Sequence, residues 1–259
     1  MLGSVRVANS WKLAAFGKHP ALKDYFSLDI GEQLVQGFSE WVKSGFHMAA
    51  ARKKVSNIIC SWRFWMKGPQ KDGLACGLVK DSSDRFGRRY PIVIMGSGIL
   101  MDWEEHWDLL PLACEASWVQ MEYLSIRPFS RLEQFEEELQ RLQIPIPQWR
   151  ELAERRGSLK ESSMLPGFQG FPPIWEDGER KLTLPIQDSK FFLSLDDGSF
   201  PDSAEAVNFW HFLLRRKLKG IPKAIFVGGT SEKIFLGVFK RPLISADFHE
   251  MWMVSSMKG

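Results

Sequence analysis

Two apolar runs that close on a short charged segment constrain the fold of this chain most. "GLACGLV" ends at Val79, "YPIVIMG" begins at Tyr90, and "KDSSDRFGRR" lies between them. Runs of this length and composition, bounded by turn residues, read as β-strands, so the charged segment joins two strands. A second pair, "KAIFVGG" and "KIFLGVF", surrounds "TSE" in the same way. "VSNIICSWRFWM", "KLTLPI" and "KFFLSL" read as further strands.

Elsewhere the apolar spacing turns helical. "SLDIGEQLVQGFSEWVKSGFHMAAARKK" places Leu34, Phe38, Trp41, Gly45 and Met48 on one face, with Asp29 and Glu32 as a capping pair. "MDWEEHWDLLPLACEASWVQMEYL" does the same with Trp103, Trp107, Leu110, Cys114, Trp118 and Met121 behind Asp102 and Glu105, and Pro111 predicts a kink or a restart. "SRLEQFEEELQRL" carries a Ser130/Glu133 capping box, "SAEAVNFWHFLLRRKL" has Asp202 and Glu205 at its start, and "SADFHEMWMV" is a short closing helix. Strands alternating with helices predict an α/β fold in layers, and the hairpin-like pairs predict a mixed sheet rather than a wholly parallel one. Residues 145–175 shift to charge, Ser, Gly and Pro and read as a flexible insertion in a single domain spanning 1–259.

Composition narrows the function. With 44% hydrophobic residues the chain can bury a sizeable core, and 34 Lys plus Arg against 31 Asp plus Glu are spread along its length. No basic face of the kind nucleic acid requires is visible, and no apolar run approaches a membrane span. Cys60, Cys76 and Cys114 lack metal or redox spacing, which suits a reducing, cytoplasmic setting. His19, His47, His106, His211 and His249 are dispersed, and Asp196, Asp197 and Asp202 in "LDDGSFPD" read as turn residues rather than metal ligands. No phosphate-binding glycine loop, serine-hydrolase elbow or zinc-protease motif occurs, and no cofactor is implied.

The charged segment remains. Lys80, Asp81, Asp84, Arg85, Arg88 and Arg89 sum to +2, with Ser82 and Ser83 able to make side-chain turns and Gly87 able to take a positive φ. Arg85 and Arg88 suit an anion clamp for a phosphate or a partner's carboxylate. Alternatively, Asp84 and Arg88 tie the loop to itself.

Three blocks in register resemble the TagF proteins, also called ImpM, that accompany bacterial type VI secretion systems. "FGKHPALKDYF" is similar to that family's Gly-Lys-x-Pro-x-x-x-Asp-Phe signature. "CSWRFWM" resembles its Trp-Arg-Phe strand at Trp62, Arg63 and Phe64. "LVKDSSDRFGRRYPI" resembles its Pro-Ser-x-Asp-x-x-Gly-Arg-x-Phe-Pro-Leu block, supplying Ser83, Asp84, Gly87, Arg88 and Pro91. The resemblance covers about residues 15 to 95, and the segment from 145 to 175 has no counterpart. It implies a three-layer α/β/α sandwich without catalytic activity, acting in the cytoplasm as an accessory protein and post-translational repressor of the secretion system. The implied partner is a forkhead-associated scaffold protein. Lys18, Asp24, Ser83, Asp84, Arg85 and Arg88 become the candidate partner-binding residues. The alternative is a hydrolase or phosphate-ester-binding protein using Arg85 and Arg88 with Asp24 or Asp84.

Overall fold

A computed structural model describes residues 11–51, 59–163, 178, 181–182, 185–195 and 203–254. The apolar runs do form strands: β1 Lys12–Gly17, β2 Phe26–Leu28, β3 Ser61–Lys67, β4 Gly73–Lys80, β5 Ile92–Ile99, β6 Lys190–Ser194, β7 Ala224–Gly229 and β8 Ile234–Phe239. They make one sheet in the order β2-β1-β5-β4-β3-β7-β8-β6. Every pairing among these strands is antiparallel, so the expected mixed sheet is corrected. The cause lies in the connections. Helical crossovers carry the chain from β2 to β3, from β5 to β6 and from β6 to β7, and none of these pairs are neighbours; hairpins make β3-β4, β4-β5 and β7-β8 adjacent.

Side chains alternate across a strand, and here both faces are apolar. On β3, Trp62, Phe64 and Met66 belong to one cluster of buried residues and Trp65 to another; on β5, Val93 and Met95 separate in the same way from Ile92 and Ile94. The helices divide between the two clusters. Val35, Phe38, Trp41 and Val42 of α1 (Gln33–Ala51) join Phe64 and Met95, as do Phe248 and Met251 of the closing helix Ser245–Val254. Cys114, Trp118 and Met121 of α2 (Leu110–Leu124) join Trp65 and Ile94, together with residues of α3 (Leu132–Leu139), α4 (Trp149–Ser163) and α5 (Ser203–Lys217). The closing helix is hereafter α6. It lies so near α1 that a Cβ added at Gly45 would come within 2.3 Å of the Phe248 Cβ.

Local expectations fared unevenly. Two short 3-10 turns, Trp103–Glu105 and Trp107–Leu109, precede α2, and Pro111 sits in its first turn, so the proline marks a restart. The caps expected at Asp29/Glu32, Asp102/Glu105 and Ser130/Glu133 did not form. Asp29 takes a positive φ of 54° and accepts from Gln140, while Glu32 is bonded by the Ser97 hydroxyl of β5. Asp102 makes no side-chain cap, and α3 begins after Arg131, with the Ser130 amide donating to Gln134 Oε1 rather than Ser130 capping with Glu133. "KLTLPI" is not a strand in its described part: Lys181 and Leu182 are helical and Pro185–Gln187 is a 3-10 turn. Within 145–175, Trp149–Ser163 is helical, and Trp149 buries its ring while its indole donates to the Met101 carbonyl at 2.9 Å. The rest of that segment after Ser163, and Asp196, Asp197 and Asp202, lie outside the described residues. Among the described residues no helix is long and apolar enough to cross a membrane.

Candidate functional site

The connection between β4 and β5 is built around one carboxylate. The Asp84 amide donates to the Arg88 carbonyl at 3.1 Å, the Gly87 amide donates to the Asp84 carbonyl at 2.9 Å, and Tyr90 donates to Ser82 at 3.1 Å. This path requires Gly87 at φ 78°, in the left-handed region that glycine enters without strain. Asp84 Oδ1 accepts the amides of Phe86 and Arg88, each at 3.0 Å, so the side chain substitutes for the missing ladder bonds of the turn. Oδ2 accepts from Arg88 Nε at 2.7 Å and lies 2.9 Å from Lys18 Nζ. The Asp84 side chain is wholly buried by these contacts. Burial by itself would raise its carboxyl, but the hydrogen bonds from Lys18, Arg88 and the two amides outweigh it and bring it from 3.8 to about 2.

Lys18 comes from the connection after β1, which links the two sequence blocks. Gly17 holds φ 118°, and a Cβ there would lie 2.0 Å from the Pro91 carbonyl oxygen, so the β1 end and the start of β5 touch backbone to backbone. His19 anchors the next residues. Its Nδ1 accepts the Ala21 amide at 3.1 Å, so Nε2 carries the proton toward the Leu124 carbonyl at 3.2 Å, and its ring packs on Phe129 and Phe135. Burial lowers its pKa, consistent with a neutral ring that holds its loop in place. The connection then meets the hairpin again: the Arg85 amide donates to Leu22, and Arg88 donates to the Lys23 carbonyl at 2.8 Å and lies 3.4 Å from Asp24 Oδ1. Asp24 is lowered chiefly by its bond from the Tyr25 amide and then by Arg88.

Four of the six residues expected from sequence, Lys18, Asp24, Asp84 and Arg88, therefore form one connected ion-pair network. Ser83 is half-buried and takes part through a backbone bridge to Arg89. Arg85 differs. Its backbone is tied to Leu22, but its exposed guanidinium has no hydrogen bond or ion pair among the described residues. Beside it stands a residue the sequence reading passed over: Phe86 at the hairpin tip is 68% exposed, with the Arg88 guanidinium 5.7 Å from its ring centre. A reading that counted charges gave an apolar residue inside a charged run no weight.

On the other side of the hairpin, Asp81 accepts the Cys60 amide at 3.0 Å and the Trp252 indole at 2.9 Å, fastening the loop base to α6. Burial raises its pKa against those bonds. Arg63, from the Trp-Arg-Phe block, is a bracing residue too: it makes two bonds to Glu122, at 2.8 and 2.9 Å, and reaches Glu115, tying β3 to α2. A cavity of about 360 Å³ opens beside it, and none of residues 80–90 line it. No group of three or more His, Cys, Asp or Glu among the described residues is placed to hold a metal ion. Chemically, the tip offers fixed positive charge and an exposed ring; Asp84, ionised and saturated with donors, is unsuited to taking up a proton near neutral pH.

A family profile described as the TagF N-terminal domain, type VI secretion system-associated, matches residues 14–143. Among solved structures, PA0076 from Pseudomonas aeruginosa PAO1 is similar at a TM-score of 0.43 and 20% identity, over 52% of this chain and 64% of that one. No curated protein matches the chain.

Proposed function

The chain belongs to the TagF family of type VI secretion system-associated proteins, and we propose that it is a non-enzymatic, cytoplasmic regulator that represses the system after translation by binding a forkhead-associated scaffold protein. The observation that carries this reading is the Lys18–Asp84–Arg88–Asp24 network. It joins the two family blocks into one surface, on which Arg85 has no ion pair among the described residues. Lys18, Ser83 and Asp84 set the shape of that surface, while Arg85, with Arg88 and Asp24 at its edge, meets the partner. A rigid, charged and exposed hairpin suits docking; an enzyme would need these groups to converge in a pocket around a carboxyl able to exchange protons.

We read the molecule as one three-layer α/β/α domain. Two apolar clusters on alternate strand positions, each joined by its own helices, support that reading, as does a sheet whose order interleaves strands from both halves of the chain. The family profile ends at residue 143, so the role of the later helices belongs to this proposal as well.

The test is an affinity pull-down from the native bacterium with wild type, Arg85→Ala and Arg85→Glu baits of equal thermal stability. Recovery of the scaffold by wild type, reduced with Ala and abolished with Glu, is the expected result. Equal recovery by all three places the interface elsewhere, and recovery by none returns the phosphate-ester reading to first place.

A further inference from the structure

We propose that Phe86 is the anchor of the docking surface, flanked by Lys23 and Arg85, and that the partner offers an apolar socket rimmed by carboxylates. This rests on the docking reading above and specifies the side chains and the partner chemistry that the reading leaves open.

Among the described residues Phe86 is the most exposed large apolar side chain, yet its backbone is tied on both sides. Its own amide donates to Asp84 Oδ1, the Arg85 amide to Leu22, the Gly87 amide to the Asp84 carbonyl and the Arg88 amide to Asp84 Oδ1. A ring on a loop already fixed in this way loses little freedom when it enters a pocket, which is the property that makes aromatic residues effective anchors. The charges around it are sorted. Lys18 and Arg88 are paired with Asp84 and, for Arg88, Asp24. Lys23 and Arg85 are exposed and have no ion pair among the described residues. Four cations against two carboxylates leave this surface with a surplus of positive charge carried by the two free side chains, so the complementary rim is acidic.

An anionic membrane surface would offer the same two chemistries. Stable attachment there draws on clusters of about four to eight basic residues, and the tip has two unpaired ones with the exposed carboxylate of Asp24 beside Arg88. A protein socket fits better.

The experiment places the photo-crosslinker benzoylphenylalanine at Phe86 and, as a control, at Tyr123, which is 60% exposed on α2. Both proteins are expressed in the native bacterium, irradiated, and the attached peptide is mapped; the partner so identified is then titrated with purified wild type, Phe86→Ser, Phe86→Leu and Arg85→Glu. The expected result is attachment from position 86 and not 123, to an apolar segment flanked by Asp or Glu. Loss of that anchor in Phe86→Ser should weaken binding roughly thirty-fold, with Phe86→Leu close to wild type and Arg85→Glu weaker. No attachment from 86, attachment to a basic or wholly polar segment, or undiminished binding by Phe86→Ser overturns the inference. Sedimentation with phosphatidylserine vesicles that Phe86→Ser abolishes overturns it in favour of lipid. If the mapped partner has the acidic-rimmed socket but is not a forkhead-associated scaffold, the partner named above is wrong and this inference stands. If the scaffold binds wild type and Phe86→Ser equally, the reverse holds.

Discussion

His211 makes the stability of this protein sensitive to mild acid. The ring is fully buried on α5, its Nδ1 2.8 Å from the Val207 carbonyl and its Nε2 3.2 Å from the Trp65 indole nitrogen. An indole only donates, so Nε2 must accept and the proton must sit on Nδ1. A second proton would set two donors against each other in a dry core. Burial accordingly lowers the pKa from 6.5 to about 4, against smaller opposing effects from the Val207 bond and the Asp108 carboxylate. Because the unfolded chain binds this proton more readily, stability is complete above the unfolded value and falls as pH drops from 6.5 toward 4. The separation corresponds to roughly 3 kcal/mol once both values are passed, and about 2 kcal/mol of it is gone near pH 5. The comparison variant is His211→Gln, whose amide oxygen can still accept from Trp65 but cannot titrate. Urea unfolding of both proteins at about pH 7.5 and about pH 5 cancels the contributions of all other groups. Wild type should lose about 2 kcal/mol more than the variant over that interval. Parallel losses would refute the reasoning.

Two further outcomes follow from close packing and from the buried carboxylate. Gly45→Ala gains helix propensity worth up to about 1 kcal/mol, but its Cβ would meet the Phe248 Cβ at 2.3 Å, an overpacking that costs about 1–3 kcal/mol; calorimetry should find a lower melting temperature, and an unchanged or higher one would show that α1 and α6 separate easily. Asp84→Asn keeps the shape of the hub but turns an amide N–H₂ toward the donors of Lys18 or Arg88. Hydrogen exchange should show reduced protection at the Phe86 and Arg88 amides with β3 and β4 unchanged. In wild type, whose folded Asp84 lies near 2, stability from this group is present above 3.8 and lost as pH falls through about 2, so protection of those amides should persist to about pH 4.

The parts of the fold that were legible in the sequence are those specified by local pattern. β4 and β5 appear as uninterrupted apolar runs because both of their faces are covered, and α1 and α2 appear through spacing. β1 escaped notice because "KLAAFG" is short and contains two alanines, which carry little strand preference. It is nonetheless buried almost throughout, because Leu13 and Ala15 join the apolar cluster on one face of the sheet and Ala14 and Phe16 the cluster on the other. Sheet polarity was misjudged for a related reason: hairpins can be read from turn chemistry, whereas the destination of a helical crossover depends on which strand edge is still open. Capping failed where a distant partner competed. Glu32 is near the start of α1 as expected, but the Ser97 hydroxyl on β5 engages its carboxylate.

The candidate site divides along the same line between local and distant causes. That a turn lies between Lys80 and Tyr90, and that Gly87 makes it possible, follows from residue types alone. Which charges brace and which remain available does not, because Asp84, Arg85 and Arg88 are equally polar on the page. The difference is made by Lys18, which reaches Asp84 only because Gly17 lets the end of β1 lie against Pro91. Once Lys18 and Arg88 saturate Asp84, its charge is neutralised internally and cannot serve recognition. The same bonds fix the backbone on both sides of Phe86, and Arg85 has no counter-ion among the described residues. Bracing and the docking proposed above are then successive consequences of one arrangement: the loop presents Phe86 and Arg85 from a backbone that its other charges are spent in holding.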